Sequence, residues 1–433
     1  MPNIEKLCKR YRIRSLSPAK LIRFITQICE QINLPKKLYQ DLVKSDLFRQ
    51  LPQNPIAAAL ISNLLSENKQ ELPSNLTELY SKSLQFMLGR WDEKKNGITT
   101  EKLYKACERL SRELARYMIE SKIIVISRNE AEGIIDNFLQ ARNMGIPAAE
   151  VSKYLFGRSG IFGVLDDTDT IFFRHRSFAE YLYALDAYEL RNLAVDERAF
   201  HPYWTNIFFF YVGLLAECPE LLQQLVAQQP TKERSRWVRL FQLGNYLLAG
   251  YQSPYAVVEG SLRILIVELA QMYSDVKSGA IKSNLQSLSE MQLLWLFAML
   301  SKHFYGYTFF YKALPLAMAQ IDEDSGLKEE TKMYALFFAA CALGDLDDSC
   351  GYSFLLKSYK TEELPLPISI GLRCETNFPE KDFSKQSDIK KHAKSLKKLL
   401  TPTRGEEGYA KRRMGELFER PLLTSLSKKT KGK

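Results

Sequence analysis

The stretch GIFGVLDDTDTIFFRHRSFAEYLYAL, residues 160–185, decides the fold of the region around it. Two apolar runs rich in aromatic and β-branched residues, 160–165 and 170–174, flank the acidic turn DDTD, and this pattern predicts a β-hairpin. A helix over 177–191 is predicted to follow the second strand at once. The stretch therefore predicts a two-stranded wing that is closed by a helix.

The residues before the hairpin add the other elements of a winged-helix domain. Working back from the hairpin, we predict a short helix over 148–156, a helix from Ser127 to Arg142, a β-branched strand over 123–126 and an amphipathic helix over 101–121. Ser127 and Glu130 have the spacing of a capping box, which fixes the start of their helix. The order helix, strand, helix, helix, hairpin and helix predicts a winged-helix domain over 98–200.

The N-terminal side of the chain predicts a separate helical domain over 1–97. The segment LPQNP, residues 51–55, is predicted as a loop, since each proline disfavours helix in the residue before it. An apolar helix over 56–65 and a second helix over 73–91 follow. The polar stretch DEKKNG, residues 92–97, contains an Asn-Gly turn signal and marks the predicted domain boundary.

The rest of the body is predicted to be helical throughout, so the predicted fold class is mainly α. The apolar spacing predicts helices over 203–216, 219–228, 232–250, 254–274, 289–303, 309–321, 328–343 and 349–359. They come in pairs with short connections, which predicts an α-helical repeat-like array over 201–360. Residues 361–433 are predicted as a basic, partly disordered tail.

The net charge of +10 is concentrated at the C-terminal end of the chain. Residues 379–433 hold 16 Lys and Arg against 7 Asp and Glu, a surplus of +9, which leaves the rest of the chain close to neutral. Such a tail predicts contact with phosphate, nucleic acid or an acidic partner, and the alternative is a solvated end that only keeps the protein soluble. The apolar fraction of 46% and the charged fraction of 25% are typical of a soluble globular protein.

The sequence lacks the short motifs of the common enzyme and metal sites. It contains no GxxxxGK[ST] phosphate loop and no GxGxxG, HExxH or GxSxG motif. Its four histidines and seven cysteines are scattered without a CxxC pair, so we predict neither a metal site nor a disulfide framework. A signal-like apolar run and an apolar stretch of transmembrane length are also missing, which predicts a cytoplasmic protein without a membrane span. We therefore predict that the chain is not an enzyme on its own.

Three segments resemble the NACHT-type STAND NTPases, the NLR-like signal-transduction ATPases of bacterial antiviral defence and animal innate immunity. LFRQLPQNPIAAALISNLL (47–65) and LPSNLTELYSKSLQFMLGRWD (72–92) resemble the helical domain of that family, and the stretch 160–185 resembles its winged-helix domain. The most specific part is HRSFAEY, 175–181, which fits the signature F-x-H-x-(S/T)-F-x-E-(Y/F) of the family. The resemblance covers about residues 10–215.

The resemblance implies a nucleotide site to which this chain contributes two residues. In such proteins a loop proline packs against the adenine base, and the winged-helix histidine contacts the β-phosphate of ADP in the closed state. Pro55 and His175 occupy these places. The signature further implies that Phe178, Glu180 and Tyr181 pack and orient the closing helix. The ADP or ATP is expected to be shared with a P-loop NTPase domain, on a partner chain or on a segment that this sequence lacks.

Each of these residues also has a simpler interpretation. Pro55 fits a role limited to the start of its helix, and His175 fits a histidine whose hydrogen bonds are satisfied in the core. Glu180 fits a structural ion pair with Arg174 or Arg176 as well as it fits a regulatory role.

The leading functional hypothesis is the regulatory and sensing half of a NACHT-type ATPase switch in antiviral defence or similar signalling. The helical array would bind an unknown ligand, such as a viral protein, and release of the closed state would permit oligomerisation. A first alternative is a nucleic-acid-binding winged-helix protein with a basic tail that makes weak contacts. Against it, the helix over 148–156 offers only Lys153, and the wing is acidic. The second alternative is a non-catalytic helical scaffold.

Overall fold

The computed structural model shows a chain built mostly of helices. The described residues are 27, 30, 40–42, 45, 47, 55–67, 73–88, 99–401, 407–419 and 421–422. The chain divides into unit 1, from Met1–Ala194 and Asn206–Leu215, and unit 2, from Val195–Thr205 and Ala216–Lys433. Helices make up most of the described residues of both units, so the predicted mainly α fold class is confirmed. None of the described helices is both long enough and apolar enough to cross a bilayer.

Unit 1 combines helices with one small antiparallel sheet. Its described elements are α1 (Pro55–Glu67), α2 (Leu76–Met87), α3 (Thr99–Glu120), β1 (Ile126–Ser127), α4 (Arg128–Ala141), α5 (Ala148–Gly157), β2 (Phe162–Leu165), β3 (Thr170–Phe173), α6 (Arg176–Leu190) and α7 (Thr205–Leu215). In the sheet, β3 lies between β1 and β2 and pairs with both. Leu165 pairs with Thr170 across the turn, so the predicted hairpin is present. The elements from α3 to α6 follow the predicted order of helix, strand, helix, helix, hairpin and helix.

The first strand lies later in the chain than the strand predicted over 123–126. It consists of Ile126–Ser127, and only these two residues pair with β3. Ile124, within the predicted strand, is 75% exposed. A β-branched run favours a strand only where its side chains pack, and here neither burial nor pairing supports the earlier residues. Ser127 caps α4 as predicted, since its hydroxyl accepts a hydrogen bond from the backbone N–H of Glu130 at 3.2 Å.

The units differ from the predicted division into domains over 1–97 and 98–200. Helices on both sides of that boundary belong to unit 1, where α2 packs against α6. The boundary segment 92–97 itself lies outside the described residues. The helix α7, predicted as the first helix of the array over 201–360, belongs to unit 1 from Asn206 onward.

Unit 2 is built around one helix that is buried along most of its length. Its elements are α8 (Pro219–Ala227), α9 (Glu233–Ala249), α10 (Tyr255–Ser278), α11 (Glu290–Tyr305), α12 (Ala313–Glu323), α13 (Glu329–Asp345), α14 (Cys350–Ser358), α15 (Leu366–Thr376), β4 (Asn377–Phe378), β5 (Lys381–Asp382), α16 (Ser387–Leu400) and α17 (Glu407–Phe418). Every residue of α13 from Thr331 to Gly344 is buried, because α10, α11, α12, α14 and α15 all pack against it. A helix that is apolar on all sides takes such a central position. The helices therefore surround α13, whereas in a linear repeat each pair contacts only its neighbours.

The segment 361–433, predicted as a partly disordered tail, differs from that prediction over its first forty residues. The helices α15 and α16 pack against each other, α15 also packs on α13, and α16 packs on α14. Leu372 of α15 and Ile389 and Leu396 of α16 are buried. The buried residues of α16 recur at helical spacing, so this helix has a face that packs on the core while its lysines stay in solvent, and α15 is buried along most of its length.

Candidate functional site

His175 stands at the junction between the hairpin and the closing helix. Its backbone is extended and it is the N-cap residue of α6, where Nδ1 accepts the backbone N–H of Ser177 at 3.2 Å. The Oγ of Ser177 lies 2.5 Å from the same nitrogen. A nitrogen that accepts an N–H carries no proton, so the neutral ring bears its proton on Nε2.

The environment of His175 favours this neutral ring. Burial lowers the pKa of His175 below its ordinary value, and the charge of Glu180 opposes that effect only in part. The side chain is half-buried, and within the described residues Nε2 has no hydrogen-bond partner. His175 therefore offers one N–H donor with a fixed orientation to an acceptor that comes from elsewhere.

A hydrogen-bond chain from α2 reaches His175 through Ser177. The hydroxyl of Tyr80 donates to Ser177 Oγ at 2.7 Å. Because that oxygen accepts from Tyr80, the proton of Ser177 is available to His175 Nδ1, which reinforces the assignment of the ring proton to Nε2. Tyr80 and Ser177 are far apart in the sequence, so no local pattern predicts the hydrogen bonds that link them to His175.

Aromatic packing holds α2, α6 and α7 together beside His175. The Tyr80 ring lies 5.9 Å from Phe178, 6.0 Å from Tyr181 and 4.8 Å from Phe210. All four rings are buried, and burial raises the pKa of Tyr181 to about 12. Phe178 and Tyr181 thus pack the closing helix as the resemblance implies. Aromatic pairs at such distances each add roughly 0.5–1.5 kcal/mol beyond area burial.

Glu180 forms a structural ion pair with Arg176, which is one of the two roles that the sequence predicted for it. Its Oε1 accepts from Nε of Arg176 at 2.7 Å, and its Oε2 accepts from Asn206 at 2.9 Å. Arg174, the other candidate partner, instead donates to the backbone carbonyl of Phe162 at 2.8 Å. Glu180 is 3% exposed, so it ties α6 to α7 from a buried position.

Pro55 is the first residue of α1, as its simpler interpretation predicts. Its side chain lies outside what the structure describes, so the predicted contact with adenine stays a prediction.

A network of ion pairs joins α3 to α6, and the sequence analysis did not identify it. Asp186 is 2% exposed and pairs with Arg109 at 2.5 Å and with Arg116 at 3.4 Å. Arg112, also buried, pairs with Glu189 at 2.5 Å. The available signal was the spacing of the three arginines, since residues three and four apart share one helix face. The network fixes the helix that begins beside His175.

The described part of unit 2 contains small cavities of about 80 Å³ that are partly lined by ion-paired side chains. In one of them Lys302 pairs with Glu375, which also accepts from Tyr352 at 3.3 Å. In another Arg239 pairs with Glu268. Among the described residues, no group of three or more His, Cys, Asp or Glu side chains could hold a metal ion.

The described part of the chain is helical with two small antiparallel sheets, and its candidate site centres on a histidine at the start of a helix. Residues 245–426 match the family model of the NACHT C-terminal helical domain 1. This region therefore resembles the C-terminal helical domain of NACHT proteins, and the predicted resemblance to that family is confirmed. The match covers α10–α17 and lies outside the segments that carried the resemblance. No curated protein and no solved structure matches the chain.

Proposed function

We propose that this chain is the regulatory and sensing part of a NACHT-type signalling switch. Unit 1 closes over ADP that a P-loop NTPase domain holds, with Pro55 against the adenine and His175 at the β-phosphate. The helical domain over 245–426 binds the ligand that triggers release, and release permits oligomerisation. The resemblance to the NACHT family is the ground for placing this switch in prokaryotic antiviral defence or similar signalling, with a viral protein as the ligand.

The state of His175 is the observation that carries this proposal. Phosphate oxygens are hydrogen-bond acceptors, and an N–H donor whose orientation is fixed in advance loses little entropy when it binds one. Ser177 fixes the ring of His175 in the tautomer that exposes such a donor. A histidine that served only to cap α6 has no need of a free Nε2–H.

Substitution with asparagine separates these two roles of His175. Asparagine is a preferred N-cap residue and can still accept the backbone N–H of Ser177, so we expect α6 to remain capped in His175→Asn. The substitution removes the ring N–H that would reach phosphate. His201 is a matched control, since its Nδ1 accepts the backbone N–H of Tyr203 at 3.1 Å in the same geometry.

The experiment is a measurement of bound nucleotide. The tagged chain is co-expressed with the P-loop domain encoded upstream of it, in the same frame or in the neighbouring gene, and co-purified ADP is quantified by mass spectrometry. We expect His175→Asn to lower ADP retention about tenfold or more, since a hydrogen bond to a charged group contributes roughly 1.5–3 kcal/mol. His201→Asn should leave retention unchanged. Equal retention in both variants, or a folded chain with which no P-loop domain co-purifies, would show that the proposal is wrong.

The switch requires only a modest difference in binding free energy. Reversing a closed-to-open ratio from about 99:1 to 1:99 takes roughly 5.5 kcal/mol of differential affinity for the two states. A ligand that binds the helical domain over 245–426 in the open state alone can supply this difference. The same ligand should therefore release ADP in the co-purified complex, and a ligand without effect on ADP is not the trigger.

A further inference from the structure

The helix α16 presents all of its lysines on one face. Lys390, Lys391, Lys394, Lys397 and Lys398 are exposed, whereas Ile389, His392 and Leu396 are buried against the core. At about 100° per residue the five lysines fall within an arc of roughly 120°, opposite the buried side chains. Along the axis they span about 12 Å. We call these five residues the lysine face.

The charge of the lysine face is not neutralised by its surroundings. Within residues 99–401, which the structure describes without a gap, none of the five lysines forms an ion pair. Asp388 is the one carboxylate of α16 and lies in its first turn. The helices α14 and α15, which pack against α16, add a single carboxylate, Glu375, which is buried and paired with Lys302. Like charges at this spacing repel one another, so the arrangement lowers its energy when an anion binds.

The side chains of this face favour a polyanion over a lipid surface. An amphipathic helix that binds membranes inserts an apolar face, but Ile389 and Leu396 of α16 are already buried in the protein, and Leu399 is its one exposed large apolar side chain. The lysine face also contains no aromatic side chain on which an unpaired base could stack, which disfavours single-stranded nucleic acid. Lysine acts on phosphate as a point charge and does not read base edges as a bidentate arginine does.

We propose that the lysine face of α16 binds the phosphate backbone of duplex nucleic acid without sequence preference. The surface lies within the NACHT C-terminal helical domain, and it is independent of the nucleotide site proposed at His175. A surface that neutralises up to five phosphates gives an affinity that falls with a slope of about −4.5 in log salt concentration. Between about 50 and 200 mM salt the affinity then drops by roughly 10²–10³-fold.

The test compares two variants of the full chain with the same change in net charge. In the first, the five lysines of the lysine face become glutamine. In the second, glutamine replaces five exposed lysines that lie elsewhere, namely Lys153, Lys232, Lys282, Lys312 and Lys328. Binding of a fluorescein-labelled DNA duplex is measured by anisotropy across a salt series, with unlabelled duplex of unrelated sequence, polyglutamate and phosphatidylserine vesicles as competitors. Circular dichroism of both variants checks that the helices remain folded.

We expect the lysine-face variant to bind about tenfold or more weakly, with a clearly shallower salt slope, while the control variant keeps the slope of the unaltered chain. Duplexes of different sequence should compete equally. Three results overturn the proposal: equal losses in the two variants, no loss in the lysine-face variant, or competition by polyglutamate or vesicles at lower charge concentration than duplex. None of these results depends on ADP retention, so the two proposals fail separately.

Discussion

Replacing Gly213 with alanine tests how closely α7 sits against α2, the helix that carries Tyr80. A Cβ atom at residue 213 would lie 2.1 Å from Oγ1 and 2.9 Å from Cβ of Thr77. Thr77 is 4% exposed and its branched side chain has few rotamers, so it cannot turn aside. The two helices must therefore move apart, which loosens the packing that supports the Tyr80–Ser177–His175 chain.

Two opposing contributions determine the size of this effect. Overpacking in a core costs about 1–3 kcal/mol, and a contact as short as that at Gly213 belongs at the upper end of this range. Against this cost, alanine in place of glycine inside a helix stabilises the helix by about 1 kcal/mol. We expect a net loss of about 1–2 kcal/mol in local stability. Gly133, inside α4 of the same unit, has nothing within 4 Å of its Cβ position, so Gly133→Ala should gain about 1 kcal/mol.

Amide hydrogen exchange, read by mass spectrometry, reports the opening of α2 and α7 without interference from unit 2. Exchange in these helices should become about 5–30-fold faster in Gly213→Ala, and exchange in α4 should become slower in Gly133→Ala. A second substitution, Thr77→Ala, removes the contact with Oγ1 but keeps Cβ at 2.9 Å, so it should recover part of the loss in the double variant. The reasoning is refuted if Gly213→Ala protects α2 and α7, or if Thr77→Ala does not relieve its effect.

Three further substitutions or conditions have effects that follow from single buried groups. Asp186→Asn removes the buried carboxylate that pairs with Arg109 and Arg116. Both arginines keep other carboxylate partners, so unit 1 should lose about 1.5–3 kcal/mol of stability, read as faster amide exchange in α3 and α6; an unchanged rate would contradict the network. Tyr246→Phe removes a hydroxyl that donates to the backbone carbonyls of Ala199 and Thr205 at 2.6 and 3.2 Å. We expect the free energy of unfolding of unit 2, measured in urea, to fall by about 1–3 kcal/mol. An unchanged value would contradict the burial of those carbonyls. Burial lowers the pKa of His392, whose ring contacts Thr361 Oγ1 at 3.0 Å. The unfolded chain therefore binds a proton at this residue more readily than the folded chain, so folding stability is lost as the pH falls from the ordinary histidine pKa toward the lowered pKa. A series of thermal melts at different pH should show that this loss is smaller in His392→Gln.

The sequence by itself determined the elements whose signals are local. The runs on either side of DDTD gave the hairpin, because the β-branched and aromatic residues favour strands and the polar residues favour a turn. Ser127 gave the start of α4 through its spacing from Glu130. The signature around His175 identified the residue whose Nε2–H is available as a donor. Helical apolar spacing predicted the positions of most helices in unit 2. Each of these features depends on residues that are close together in the chain.

The tertiary structure alone decided the features that depend on distant neighbours. The ring tautomer of His175 follows from Ser177 and, through it, from Tyr80, and no local pattern brings these residues together. The same holds for α13, because its apolar sequence does not show which helices surround it. It also holds for α15 and α16, because the basic composition of this segment predicted a disordered tail although both helices pack on the core. Burial is a property of the assembled chain, and burial is what orients the donor of His175 and leaves the lysines of α16 in solvent.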